Sequence, residues 1–213
     1  MAHESDPRTL VLLGLRLKGF AGADVLAETT GLDVGTVETL LDDLMAGELA
    51  VYREGGQASG FVLTATGRAA GTEALNAELA AGGARDAVQA AYDEFLGLNR
   101  DMLQLCTDWQ VRDVDGEQVL NDHSDASYDQ EVLARLVGID EQLNSVLVQL
   151  NGTLARYRAY GPRFQTALEK LLGGDLDYFT KPLIPSYHTV WFELHEDLLA
   201  TLDIDRASED SAG

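Results

Sequence analysis

The stretch FAGADVLAETTGLDVGTVETLLDDLMAGELA (Phe20–Ala50), continued by VYREGGQASGFVLTATGR (Val51–Arg68), decides how the chain folds. Ala23 to Thr30 suits a short helix, and Gly31 supplies the residue that takes φ > 0 in a tight turn. Asp33 stands where a second helix needs an N-cap. Beyond it Val37, Leu40, Leu41 and Leu44 recur at i, i+3, i+4 and i+7, which makes one apolar face, and Gly47 stops the run. AVYRE and FVLT then flank the Gly-rich GGQASG in the pattern of a β-hairpin, and Thr64 caps the helix that follows.

Leu26-Ala27, Thr30-Gly31-Leu32, Thr36-Val37, Leu40, Leu44, Gly47-Glu48-Leu49 and LTATGR at Leu63–Arg68 carry a resemblance. Over about the first third of the chain this set resembles the winged helix-turn-helix domains of MarR- and PadR-like transcription regulators. The resemblance implies a DNA-reading second helix with Thr36 and Thr39 toward the base pairs. It also implies a wing at which Arg53 and Arg68 contact phosphate, and the two-fold logic of such proteins implies a homodimer.

The charge departs from that pattern. No Lys or Arg lies between Lys18 and Arg53, while Asp24, Glu28, Asp33, Glu38, Asp42, Asp43 and Glu48 are acidic. The outer side of the second helix offers Gly35, Thr36, Glu38, Thr39, Asp42 and Asp43. Neutralising phosphates with Lys and Arg carries most of the affinity for DNA, and carboxylates cannot supply it. DNA is therefore implied by the resemblance and disfavoured by the acidic helix. The same carboxylates suit a basic protein partner.

A chain of 213 residues with 46% hydrophobic content has enough apolar material for two small domains or one elongated helical body. A net charge of −21 disfavours nonspecific attraction to nucleic acid or an anionic membrane. The single Cys106 excludes an intramolecular disulfide and suits a reducing compartment. MAHESDPR lacks the charged and apolar regions of a signal peptide, and no apolar run approaches the ~20 residues of a membrane span. A soluble, cytoplasmic protein is expected.

Residues 1–5 read as a disordered start, and Asp6-Pro7 opens a helix, TLVLLGLRLKG, that is apolar nearly all round. The winged-helix unit is expected over 1–80. The small residues of ATGRAAGTEALNAEL permit a close helix approach, and AAGG at Ala80–Gly83 reads equally as a hinge or a helix cap. Residues 84–204 are expected to form an all-helical dimerisation or sensing domain, with an acidic tail at 205–213. Val88, Tyr92, Phe95, Met102, Cys106 and Trp109 form a long stripe on one helix, with Asn99 as a register-setting polar group. Cys106 in that stripe reads as a small hydrophobe. Gln110–Ala126 reads as an irregular segment with a turn at Asp115-Gly116. Leu133, Leu136, Leu143, Leu147, Leu150, Leu154 and Tyr157 form a second stripe, broken at Gly161-Pro162. Phe164, Ala167, Leu168 and Leu171 follow as a short face. Pro182 and Pro185 keep DYFTKPLIP extended, and Ser186 caps a last helix.

Arg156, Arg158 and Arg163, with Tyr160 among them, concentrate positive charge in an acidic chain and are the candidate site for a carboxylate or phosphate. The competing assignment pairs these arginines with acidic residues of neighbouring helices. His188 and His195 share a face with Trp191 two turns apart, a weak metal pair that needs ligands from another helix. An aromatic face in the helical core is the simpler reading. Asp122, His123 and Asp125 form a lone loop cluster, better read as solvated than as metal ligands. No Walker loop, GxGxxG, GxSxG or Cys–His motif is present, so neither a cofactor nor a catalytic site is expected. The expected fold is mainly α with one wing hairpin. The expected function is a non-catalytic regulator that senses a small molecule, with a DNA-independent interaction module as the alternative.

Overall fold

In the N-terminal third the helices that follow Asp6, Asp33 and Thr64 begin at the side-chain caps the sequence supplies, and the one that follows Gly22 begins without one. A computed structural model describes residues 1–55, 58–114 and 116–206. Helix α1 (Pro7–Lys18) starts with the Asp6 carboxylate accepting from the Arg8 N–H and ends on Gly19 at φ 68°. Helix α2 (Ala23–Thr30) ends on Gly31 at φ 74°. Helix α3 (Val34–Ala46) starts where Asp33 accepts from the Thr36 N–H at 2.9 Å. Strands β1 (Ala50–Gly55) and β2 (Ala58–Leu63) pair antiparallel in the register Ala50↔Leu63 to Gly55↔Ala58. Gly56 and Gln57 of the hairpin tip lie outside the described residues. Ala21 adds an antiparallel bridge to Phe61.

The four-residue run Thr64–Gly67 locks this unit. Thr64 donates its hydroxyl to Glu48 O at 2.8 Å and caps helix α4 (Ala65–Gly82) by accepting from the Gly67 N–H at 3.0 Å. Gly67 itself packs on backbone, since a Cβ there would lie 1.9 Å from the Leu49 carbonyl oxygen. The small residue thus serves a loop contact, while a Cβ at Gly71 would lie an ordinary 3.7 Å from Leu12 Cβ of α1. Val11, Leu12 and Leu15 of α1 join Leu26, Val37, Leu41, Leu44 and Leu63 in one core.

The second unit is built on a long antiparallel pair, α5 (Arg85–Gln110) and α6 (Ala126–Thr153). Gln149 bonds Glu94 at one end and Arg135 bonds Asp108 at the other, which sets their direction. Helix α7 (Tyr160–Leu172), the short α8 (Asp177–Thr180) and α9 (Tyr187–Leu202) complete the unit. Helix α9 is central. It packs on α1, α4, α5, α7 and α8, and every residue from Val190 to Leu202 except Phe192 and Glu196 is buried. Phe95 stacks on Trp191 at 4.9 Å, and Phe164 meets Tyr187 at 4.9 Å. Buried side chains of this size contribute ~1.5–3 kcal/mol each. Asn99 accepts from the Trp191 indole N–H at 2.9 Å and so sets the register of α5 on α9. Leu13, Leu75 and Ala200 close the seam between the two cores.

Several expectations are corrected. Residues 1–5 are not a free start: His3 bridges Leu154, with its N–H on Thr153 O at 2.8 Å, and its ring lies against Gly82. Ala80–Gly83 is helix and cap, because Gly83 at φ 57° turns the chain straight into α5. The second unit is not all-helical. Gln110–Ala126 contains a hairpin of β3 (Val111–Val114) and β4 (Glu117–Leu120), whose short alternation was masked by its charges. Asp115 of the expected turn lies outside the described residues, as does the acidic tail beyond Arg206. The break in the second stripe falls at Leu154, where a 3₁₀ turn (Ala155–Ala159) begins, and Gly161-Pro162 opens α7 instead. Proline in a first helical turn removes no hydrogen bond the helix needs. Asp177–Thr180 is helical within the stretch expected to be extended. The long stripes of α5 and α6 bury each other. Among the described residues no helix is long and apolar enough to cross a membrane.

Gly67→Ala is expected to destabilise the protein by at least ~1–3 kcal/mol through overpacking. Gly71→Ala, one turn on, is expected to be neutral or stabilising by up to ~1 kcal/mol, since Ala exceeds Gly in a helix. Urea unfolding of both variants beside the parent checks the contrast.

Candidate functional site

The outer face of α3 presents Glu38, Thr39, Asp42 and Asp43 to solvent. Thr36 is half-buried, and its hydroxyl is spent on the Asp33 carboxylate at 2.6 Å. That leaves Thr39 as the exposed threonine, with its hydroxyl donating to Gly35 O at 2.9 Å. Arg53 on β1 and Arg68 on α4 are exposed, and among the described residues neither makes an ion pair. The α3 face is acidic and carries no cation of its own.

The arginine cluster separates into different roles. Arg158 is exposed and lies 3.8 Å from Glu4. Arg156 is 4% exposed and sits between Glu78 of α4 and Asp197 of α9, at 3.5 and 3.3 Å, with a hydrogen bond to Thr201 Oγ1 at 2.6 Å. Burial works against its charge, but the fields of Asp197, Tyr157 and Glu78 outweigh that and hold it protonated. Arg156 Nε and Nη1 and both Glu78 oxygens have no hydrogen-bond partner, so the 3.5 Å pair is a charge contact without hydrogen-bond geometry. Tyr160 donates to Asp197 at 3.0 Å, and burial pushes its hydroxyl well above the ordinary phenol range. Arg163 and Lys18 of α1 both hold Glu193, which is 3% exposed.

Of these residues Lys18, Arg163 and Glu193 line a groove of about 940 Å³ between the two units. Leu17, Lys18, Phe20, Val25 and Thr29 form one wall, and Pro162, Arg163, Leu183, Phe192 and Glu193 form the other. Leu183 holds a left-handed backbone, φ 67°, with its side chain fully exposed. Non-glycine residues rarely adopt that conformation, and it clusters at ligand-contacting segments. His188 also lines the groove, and burial lowers its basicity, which leaves the imidazole neutral at pH 7. Pockets of several hundred Å³ with mostly apolar walls and a few convergent polar groups are the usual form of small-molecule sites.

The histidines do not converge. His195 is buried with its ring 5.3 Å from Phe95, whereas His188 faces the groove. Among the described residues no group of three His, Cys, Asp or Glu could hold a metal. Asp122 accepts from Ser124, Asp125 caps α6, and His123 pairs with Asp129 at 3.1 Å against the Trp109 ring. Asp122 and Asp125 also lie 3.8 and 3.4 Å from Arg112 of β3, which ties the hairpin to the start of α6. Burial raises the Cys106 thiol to about 11.

Comparison with protein-family models, with curated proteins and with solved structures returned no match to this chain. The groove residues Phe20, Val25, Leu183, Phe192 and Glu193 were not legible as a site, because they come from four segments with no shared spacing. Leu183 between two prolines and the lone Phe192 on a polar helix face were the available signals.

Replacing Arg156 by Met leaves Glu78 and Asp197 buried without a cation, and a loss of ~3–5 kcal/mol in urea unfolding is expected. Adding Asp197→Asn should recover part of that loss. Native Cys106 should react with iodoacetamide at pH 8 roughly a hundredfold more slowly than in the unfolded chain, as follows from its small thiolate fraction.

Proposed function

We propose that this chain is a winged-helix regulator, with α3 as its contact helix and the β1–β2 hairpin as its wing, and that a small molecule in the groove sets its state. The single observation carrying this is the position of the groove. Its walls come from α1 and α2 on one side and from α7, the Pro182–Pro185 turn and α9 on the other. A ligand touching both walls binds one relative placement of the two units better than another, which is what a population shift requires. The order of α1, α2, α3 and the hairpin supports the winged-helix assignment, as does the Ala21–Phe61 bridge beside the hairpin.

A second reading is favoured by the acidic α3 face. Glu38, Asp42 and Asp43 are exposed on a helix without Lys or Arg, which suits a basic protein surface better than phosphate. In this reading the unit regulates or scaffolds a partner enzyme without touching DNA.

Fluorescence anisotropy with the DNA upstream of the protein's own gene, at low and at physiological salt, separates the two. Sequence-selective binding that persists in added salt is the regulator outcome. No binding at low salt, where weak cations act most strongly, removes DNA recognition at that site. The Glu38→Lys/Asp42→Lys/Asp43→Lys variant should raise nonspecific DNA affinity by roughly tenfold or more at low salt. In the alternative, the same variant abolishes capture of the basic partner.

A further inference from the structure

The groove does not end at Arg163. A smaller chamber of about 40 Å³ lies behind it, lined by Arg156, Tyr160 and Asp197 together with residues of α1 and α2. Leu17, Thr29 and Arg163 line both spaces, so the chamber adjoins the groove at these three side chains. A volume of this size holds a small polar group or a water or two, not a ring. The outer part differs in character. Phe20, Val25, Leu183 and Phe192 are 39%, 44%, 101% and 44% exposed, a concentration of open apolar surface at the mouth.

The charge where the two spaces adjoin is already balanced. Lys18 and Arg163 hold Glu193, and Arg156 holds Asp197 and Glu78, so three cations meet three carboxylates. The carboxylates are only 2–5% exposed, and the cations 4–23%. An ionised ligand group placed among them, of either sign, leaves one charge uncompensated in a desolvated space. Hydrogen-bonding capacity is nevertheless unspent, because Arg156 Nε and Nη1 are buried donors without an acceptor. Exposed Glu28 at the rim adds a further charge against anions.

We propose that the groove takes an uncharged molecule with an apolar body and a hydrogen-bond acceptor at one end. The body lies against Phe20, Val25, Leu183 and Phe192, and the acceptor enters the chamber beside Arg156. This rests on the ligand-sensing part of the function proposed above and specifies the chemical class of the ligand.

The test uses the full chain and the neutral dye Nile red as reporter, displaced by three compounds of equal chain length: 1-octanol, octanoate and octylammonium. One saturable dye site is expected, with octanol displacing at roughly tenfold lower concentration than either ion, the ratio for about one uncompensated charge. Leu183→Asn keeps a residue that tolerates the left-handed backbone and removes the apolar wall; it should weaken dye binding roughly tenfold. Glu193→Gln removes one carboxylate and should shift preference toward octanoate. Lys18→Gln, on a side chain 23% exposed, should shift it away and serves where Glu193→Gln does not fold. Octanoate equal to or better than octanol in the parent overturns the uncharged class and leaves the groove standing. No dye site, or one indifferent to Leu183→Asn, overturns the groove itself. Failure of the DNA experiment with this pattern intact overturns only the regulator reading.

Discussion

Glu193 and Asp197 lie one turn apart on α9, 3% and 2% exposed, and each is compensated by cations from other elements. Lys18 from α1 and Arg163 from α7 meet at Glu193, while Arg156 from the 3₁₀ turn meets Asp197 and also reaches Glu78 of α4. Arg16 of α1 pairs with Glu196 on the same helix at 3.0 Å. Buried carboxylates are costly alone, so each demands its partner in place. The relative position of the N-terminal unit, α7 and α9 therefore follows from satisfying this one row of charges. Apolar seams such as Leu13, Leu75 and Ala200 add burial but little direction.

The same row creates the groove. Fixing Lys18 and Arg163 on Glu193 holds the end of α1 near the start of α7. The Pro182–Pro185 turn, with Leu183 in its left-handed conformation, then leaves an open apolar wall facing α2. A cavity so placed is lined by charges that neutralise one another and by apolar side chains that stay 39–101% exposed, Phe192 among them although the Arg206 guanidinium lies 4.8 Å from its ring. Its chemistry is set by what the fold leaves unspent: exposed apolar surface at the mouth and, beside the adjoining chamber, two guanidinium nitrogens of Arg156 without an acceptor. The α3 face is the opposite case, a fully solvated acidic surface whose meaning depends on what meets it.

The legible parts of the chain were those governed by neighbours in sequence. Asp6, Asp33, Thr64 and Ser186 each cap the helix expected of them, and Gly31 and Gly47 end theirs. The stripe from Val88 to Trp109 is buried apart from the half-buried Cys106. The β3–β4 hairpin escaped because Arg112, Asp113, Glu117 and Gln118 interrupt its apolar alternation, and its eight residues give pairing little pattern to show. His3 escaped because its partner, Leu154, is remote, and no local signal marks a bridge of two residues. The arginine cluster was visible as a concentration of charge, but its division into a buried clamp at Arg156, a shared partner at Arg163 and a solvated Arg158 was not.

By itself the sequence determined where helices start and stop, which faces are apolar, that one cysteine sits in a stripe, and that the α3 face is acidic. Caps, turns and helical periodicity act within about four residues, so the order of residues suffices for them. Tertiary structure alone decided which carboxylate each cation meets and where the groove opens. Lys18 and Glu193 are 175 positions apart, and Arg16 and Glu196 are 180. With 36 acidic residues for 15 basic ones, every cation has many candidate partners in the sequence. Only the packing of α9 against α1, α4 and α7 removes water from a chosen few, and desolvation is what makes those pairs specific.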